Sequence, residues 1–489
     1  MRFPPWQPAH ALRTPPMRAS AHIRELIAIA GTDGVLWNPE ELMLYEYDAL
    51  SAARPPDAVV FPRTTAQVAG IVKLARRKKI PLVPRGAGTG LSGGAVVTEG
   101  GIVLSLVRMK QIIEVDPENQ RARVQPGVVN LDLSAAVAKH GLYYVPDPSS
   151  QRACTLGGNV AENSGGPHTL AYGVTTNHVL GLEVVLASGE VIHTGAKFWG
   201  RPGYDLTGLM VGSEGMLGIV TEITVRLARK PEAVKTLLAI YDQARDATRT
   251  VAALTARGIT AAALEMMDGF TLRAVEEATH AGYPMDSAAV LLIEVEGLRE
   301  AAEEQAEQVQ AVCMENHARA VRLAGNNDER ELLWKGRKNA FGALGRISPN
   351  FYVQDGVIPR TRLPEMLDSM ERIGRKHGIA IGNIFHAGDG NLHPLLMYDA
   401  RKPAERESVA KAAAEIMAEC VALGGSITGE HGVGIEKNEL MPLIFSEDDL
   451  EMQKKMLQVF GAGEALNPGK VFPSGKMCGE LRVQMGGAG

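Results

Sequence analysis

None of the four cysteines, Cys154, Cys313, Cys420 and Cys478, stands near another in the chain. A CxxC pair, a zinc ribbon and an iron–sulfur ligand set are therefore excluded within it, and scattered thiols suit a reducing cytoplasm. No apolar run approaches the roughly 18 residues of a membrane span, so none is expected. An excess of one charge is also missing. Lys plus Arg total 51 against 56 Asp plus Glu, a net charge of −5, which gives no support to nucleic-acid binding. The single basic run, Arg76-Arg77-Lys78-Lys79, closes an amphipathic segment and reads as a solvated helix end. The first residues hold Pro4, Pro5, Pro8, Pro15 and Pro16 but no apolar core. They make a poor signal peptide and read as a disordered tail over 1–20, with Met17 as the expected start of the folded chain. No internal repeat is visible.

What the chain does have is clustered glycine, 53 residues of it. Clustering means that backbone must approach something closely or adopt positive φ. Around the clusters the pattern predicts a helix over 18–30, a strand over 57–62, and a helix from Thr64-Thr65 to about Lys79. A strand over 80–84 leads into the loop 85–94. Strands follow at 102–106, 111–116 and 121–126, then a helix capped by Asn130 and ended by Gly141. The stretch 146–181 reads as irregular. Strands at 182–187 and 219–227 come next, the latter alternating Ile219, Thr221, Ile223, Val225 and Leu227 with small or polar partners. Near Lys230-Pro231-Glu232 the texture changes. Longer helices (299–317, 363–377, 403–423, 446–459) then lie between strands such as 236–240, 289–295 and 380–385, which predicts an α+β domain with helices over an antiparallel sheet.

The loop Arg85-Gly-Ala-Gly-Thr-Gly-Leu-Ser-Gly-Gly94 contains five glycines, and Gly88, Gly90 and Gly93 literally match G-x-G-x-x-G. A nicotinamide site of the Rossmann type also needs a helix to open inside the motif and an acidic ribose partner about 20 residues on. Gly93-Gly94-Ala95-Val96-Val97 is no helix start, and Arg108 to Lys110 offer no acid. No GK[ST] is present either, so a P-loop is excluded. What remains is a loop whose bare N–H groups can form an anion nest. A plain glycine-rich turn is the less favoured reading.

A second patch runs from Pro146-Asp147-Pro148 to Thr155-Leu156-Gly157-Gly158-Asn159-Val160-Ala161-Glu162-Asn163-Ser164-Gly165-Gly166. Two separated patches in one domain suit a long ligand lying across both, such as FAD. Together with Gly212-Ser213-Glu214-Gly215 and Gly218-Ile219-Val220, they resemble the FAD-binding domain of the vanillyl-alcohol oxidase / p-cresol methylhydroxylase superfamily, over about residues 54–231. That resemblance implies a two-lobed PCMH-type domain over 21–231. It implies cofactor contacts at Arg85, Gly86, Ala87, Gly88, Thr89, Gly90, Gly93, Pro148, Thr155, Gly157, Gly158, Ala161, Asn163, Gly165, Glu214, Gly218, Ile219, Val220 and Asn467. Some members attach FAD through a histidine in the first loop. Thr89 occupies that position here, so non-covalent FAD is expected.

Further on, His386-Ala-Gly-Asp-Gly-Asn-Leu-His393 sets two imidazoles around a glycine-rich turn. The spacing is not that of a helical zinc motif and predicts strand–loop–strand. Gly429-Glu430-His431-Gly432-Val433-Gly434 is another glycine-bounded turn. His386, His393 and Glu430 could form a divalent-metal set that leaves His431 free as a base. From spacing alone, polar loops with satisfied histidines are the favoured reading.

A resemblance reverses that preference. These segments are similar to the C-terminal domain of the flavin-linked D-2-hydroxyacid dehydrogenases, and in texture to the group of the glycolate oxidase flavin subunit and D-lactate dehydrogenase, notably at Gly345-Arg346-Ile347-Ser348-Pro349-Asn350 and Asp355-Gly356. It implies a substrate domain over 232–460 and a segment over 461–475, around Leu466-Asn467-Pro468-Gly469, that returns to the flavin before a tail at 476–489. It implies one divalent metal, Zn or Mn, on His386, His393 and Glu430, and a carboxylate-binding role for Arg337 in Trp334-Lys-Gly-Arg337. His431 would take the proton of the 2-hydroxyl as hydride leaves C2 for the flavin. In the dicarboxylate-specific members a lysine follows shortly after the segment of Arg337. The stretch Asn350 to Asp355 has none, which argues for a small monocarboxylate, glycolate or D-lactate.

With no cysteine cluster and no haem motif, the expected electron route leads out of the chain, to another subunit or a quinone. An iron–sulfur electron-transfer subunit and a second flavin-type subunit are the expected partners, in the cytoplasm or peripherally at the inner membrane through them. The competing reading is a non-catalytic FAD-binding subunit of a larger dehydrogenase. Retention of both His386/His393 and Glu430/His431 argues against it.

Overall fold

The computed structural model describes residues 20–49, 54–197, 203–462 and 465–473. The expected N-terminal tail up to residue 19, Met17 with it, and the tail 476–489 lie outside the described residues. Among the described residues no helix is long and apolar enough to cross a membrane.

The first part of the chain builds two sheets. One has the order Val35–Leu36, Ala58–Val60, Ile102–Ser105, Leu82–Arg85; its last three strands are parallel. Ala58–Val60 and Ile102–Ser105 are buried at every position, as strands of a covered parallel sheet must be. The helices Ala21–Ala30 and Thr65–Lys78 provide cover, each opened by a hydroxyl cap, Ser20 on the N–H of Ile23 and Thr64 on the N–H of Gln67. The other sheet is antiparallel, in the order Ile112–Asp116, Arg121–Val124, Ile219–Arg226, Val179–Val185, Val191–Gly195. Alternation along Ile219–Arg226 buries Ile219, Thr221, Ile223 and Val225 on one face, matching the sequence pattern.

Two local expectations need correction. Asn130 does not cap its helix. It is the first helical residue, and its buried Nδ2 donates to the Pro146 carbonyl at 2.9 Å, because a carbonyl taken from water needs a donor. The stretch 146–181 is not wholly irregular either. Leu156–Glu162 is a helix, with Thr155 Oγ1 accepting the Gly158 N–H at 3.4 Å. Two glycines in a first turn hide a helix from propensity; the cap and the burial of Leu156, Asn159 and Val160 hold it.

The later part is one antiparallel sheet ordered Ala320–Leu323, Ala233–Tyr241, Ala289–Gly297, Ala263–Asp268, Ile381–His386, Asn391–Tyr398, Asn350–Val353. Helices Ala244–Ala256, Arg299–Glu315, Leu363–His377 and Pro403–Ala422 bury one face. Helices Gly269–Thr279, Asn327–Lys338 and Ala340–Leu344 lie on the other. That second face holds the polar residues of interest. Finally, Leu466 bridges Leu82 in parallel, and Asn467 Nδ2 donates to the carbonyls of Gly94 at 2.9 Å and Glu214 at 2.7 Å. The C-terminal segment is thereby stitched to the first and third glycine segments.

Candidate active site

Strand Leu82–Arg85 delivers the chain into the first glycine loop, and Gly86 to Gly90 line a cavity of about 400 Å³. Packing rather than flexibility demands glycine here. A Cβ on Gly86 would lie 2.3 Å from Thr155 Oγ1, and Gly88 adopts φ 72° with its Cβ position 2.2 Å from the Arg85 guanidinium. A Cβ on Gly90 would meet only open space, so bare backbone forms the wall. Pro148, Thr155, Gly157, Gly158 and Ala161 line the cavity as well, as do Glu214, Gly218, Ile219 and Val220. A peptide-lined cleft with the buried Arg85 guanidinium at the first glycine loop fits a long anionic cofactor such as FAD. Gly93, Asn163, Gly165 and Asn467, also expected as contacts, are not in the lining. Gly93 donates its N–H to Asp48, Asn163 accepts from the Thr176 N–H, Gly165 packs against Glu430, and Asn467 ties two loops together. They support the wall from behind.

The cavity's polar end is set by sheet register. His386 ends one strand opposite Asn391, and His393 lies opposite Ile384, so both imidazoles share one face. Glu265 stands opposite His386 on the next strand and faces the same way. Its Oε1 is 2.7 Å from His386 Nδ1, and its Oε2 is 2.5 Å from Nη2 of Arg337, which hangs from helix Asn327–Lys338. Glu430 Oε1 then approaches His386 Nε2 at 3.2 Å and His393 Nε2 at 3.1 Å. Two imidazole nitrogens and a carboxylate oxygen converging on one point, with a second carboxylate behind one imidazole, are the donor set and backing that a divalent cation takes. His431 stacks on His393 at 5.0 Å with 6° between the rings.

Glu430 and His431 are not on a regular element, yet their loop is held at both ends. Asp355 accepts the N–H groups of Gly429, Glu430 and His431 at 3.0 to 3.3 Å and the Thr428 hydroxyl at 2.7 Å. Lys437 Nζ lies 3.1 Å from the same carboxylate. Glu214, on the FAD side, accepts from the N–H groups of Val433 and Gly434 at 2.7 and 2.8 Å. Asp355 also lies near His393 and His431, but its oxygens are already taken by these donors, so a cation has better access to Glu430.

Burial and charge work against each other across the site. Burial pushes the Asp355 carboxyl up, and Lys437 with the nearby imidazoles more than reverses this, holding it well below the usual range. Glu265 is likewise raised by burial and pulled down overall to about 2, first by Arg337 and then by His386. His431 is pushed down to about 4, chiefly by burial, so its imidazole is neutral at ordinary pH. Glu162 also lines the cavity; burial and the neighbouring Glu214 push its carboxyl well up, and its Oε2 is buried without a hydrogen-bond partner.

Arg337, His386, His393, Glu430 and His431, all expected from the sequence, line the same cavity as the glycine loops. Glu265, Asp355, Lys437 and Glu162 were not expected to act. The one signal for Glu265 is a lone acid inside the apolar run Ala263-Leu-Glu265-Met-Met267; the only signal at Asp355 is the family resemblance of Asp355-Gly356.

Comparison with known proteins follows the same division. Residues 56–195 match the family "FAD binding domain" and residues 230–471 match "FAD linked oxidases, C-terminal domain". The chain is 46% identical over 448 residues to glycolate oxidase subunit GlcD of Escherichia coli K12, covering 91% of this chain and 90% of that protein. It is 43% identical to the same-named subunit of Bacillus subtilis, covering 92% and 96%. It is 33% identical to D-lactate dehydrogenase of Anaerostipes hadrus, covering 85% and 89%. The crystal structure of p-cresol methylhydroxylase with substrate bound shares the fold, with TM-score 0.78, 19% identity, and 92% and 96% coverage.

Proposed function

The chain belongs to the FAD-linked oxidases, and from that membership we propose that it oxidises a small 2-hydroxy acid, glycolate or D-lactate, to the 2-oxo acid. One observation carries this reading: a single cavity joins the peptide-lined cofactor wall to Arg337, the His386/His393/Glu430 cluster and His431.

Bound FAD supplies the two-electron acceptor for hydride leaving C2. A divalent cation on His386, His393 and Glu430, Zn or Mn by donor type, would supply positive charge beside the substrate oxygens. The side chains do the rest. Arg337 uses one nitrogen on Glu265, and its buried Nε has no partner, so a donor is left for the substrate carboxylate. His431, neutral and half-buried, takes the 2-hydroxyl proton. Glu265 orients Arg337 and His386 together, and Asp355 holds the base's own backbone in place.

Against a panel of 2-hydroxy acids with an artificial electron dye, glycolate or D-lactate is expected to give the highest kcat/KM. Preference for a dicarboxylate, or no turnover of any 2-hydroxy acid, overturns the assignment. The flavin should be non-covalent, since Thr89 stands where some relatives of the fold carry the attached histidine. Acid precipitation should then leave the yellow chromophore in the supernatant. A pellet that retains it contradicts the reading.

Electrons leave to a partner. Two relatives are named as subunits, and no two of the chain's four cysteines stand close together in the sequence. The proposed partners are an iron–sulfur subunit and a second flavin-type subunit, in the cytoplasm.

A further inference from the structure

One buried polar cluster is used by none of these steps. It lies where the FAD-binding part meets the sheet of the later part. Asp147, beside the cavity-lining Pro148, accepts the His168 backbone N–H at 3.3 Å and meets His168 Nδ1 at 2.9 Å. The other ring nitrogen, Nε2, lies 3.5 Å from Glu294 Oε1 across the junction. Glu294 is fully buried and saturated: it accepts from Thr236 at 2.6 Å, from Arg330 through two nitrogens at 2.8 and 2.9 Å, and from Trp334 Nε1 at 2.8 Å. The His168 ring also stacks on Trp334, 6.0 Å between centroids at 25°. His168, Glu294 and Glu296 lie close enough to hold a cation, but every oxygen of Glu294 is already engaged, so a bonded junction is the better account.

The junction matters because of what else its helix carries. Arg330, Trp334 and Arg337 recur at four and then three residues along Asn327–Lys338, which puts them on one helix face. Two buried glutamates on one sheet face receive that helix face. Glu294, opposite Ala263, takes Arg330 and Trp334, and Glu265, opposite Leu292, takes Arg337. A bonded path thus runs from the wall of the cofactor cleft, through Asp147, His168 and Glu294, to the helix that bears Arg337.

We propose that His168 is a positioning residue: by bridging Asp147 and Glu294 across the junction it sets where Arg337 presents its guanidinium relative to the cofactor cleft. Two carboxylates hold the imidazole from both sides: burial is the largest influence and disfavours its charged form, and Asp147 and Glu294 together more than offset it. This inference rests on the assignment of Arg337 to the substrate carboxylate. Because that contact exists in both ground and transition states, misplacing it raises KM while leaving kcat largely unchanged.

The test uses the FAD-loaded enzyme. His168→Asn keeps an amide near the Nδ1 position and loses Glu294; His168→Gln reaches toward Glu294 and loses Asp147. Each is expected to raise the glycolate or D-lactate KM by about 10-fold, with kcat within about 3-fold, as small displacements of a binding group do. FAD content should stay at the wild-type level. Arg337→Lys alone should also raise KM, and adding either His168 change to it should raise KM no further, since coupled residues do not add. Trp334→Phe keeps an aromatic ring beside His168 while losing the bond to Glu294 and part of the ring's packing; it carries the same test if a His168 variant does not fold. Wild-type KM in the His168 variants overturns the proposal, as does an undiminished KM increase in the Arg337→Lys background. Lowered FAD retention with KM and kcat falling together indicates a purely structural junction and also overturns it. If Arg337→Lys itself leaves KM unchanged, the carboxylate assignment fails, and this inference falls with it.

Discussion

Replacing His431 with alanine is expected to slow flavin reduction by the substrate about 10²–10⁴-fold, the usual share of a general base. Burial pushes this imidazole down to about 4, so it is an unprotonated acceptor at working pH. It lies in the cavity, stacked on His393. Its loop is anchored through backbone N–H groups to Asp355 and Glu214, neither of which loses a partner when the side chain is cut back. FAD content should therefore be unchanged, and so should reoxidation by an artificial dye, which involves no substrate deprotonation. Anaerobic stopped-flow absorbance separates the two half-reactions. Flavin reduction at the wild-type rate in the variant would mean that another group takes the proton.

His393→Ala should have an effect of similar size by a different route. His393 contributes one of the two imidazole nitrogens that converge on Glu430 Oε1, and its own Nδ1 is buried without a partner. Removing it leaves one imidazole and one carboxylate. Bound divalent metal should fall to background by elemental analysis, and turnover should fall by about 10²-fold or more, since loss even of groups behind a ligand costs 10–100-fold. The flavin absorption spectrum should persist, because the peptide-lined wall is built from other segments. The ring is packed between His386 at 5.1 Å and His431 at 5.0 Å, so His393→Gln serves as a control that fills the space. Active wild-type enzyme with no metal would sink the assignment of these ligands.

Much of this could be read along the chain because the signals are local. A glycine loop that follows a strand and is not followed by a helix start separates this cleft from a nicotinamide fold within a dozen residues. Two histidines around Ala-Gly-Asp-Gly predict a hairpin, and strands Ile381–His386 and Asn391–Tyr398 are that hairpin. Alternation at 219–227 places the correct face of Ile219–Arg226 inward. The helix Leu156–Glu162 escaped because Gly157 and Gly158 depress local propensity, while its support comes from a cap and from burial against distant residues.

The glycine-rich segments and the turns that carry His386, His393, Glu430 and His431 were determined by the sequence itself as short local motifs, while the roles expected of these residues and of Arg337 came from the family resemblance. Their arrangement was decided only by tertiary structure. Glu265 reaches His386 because Ala263–Asp268 pairs on one side with Ile381–His386, a strand far from it in the chain, and Glu430 completes the cluster because Asp355 captures its loop. His168 meets Glu294 because two separately built parts of the chain dock. Such contacts are long-range, and a buried carboxylate declares its role only when the donors that share its low-dielectric site are brought to it.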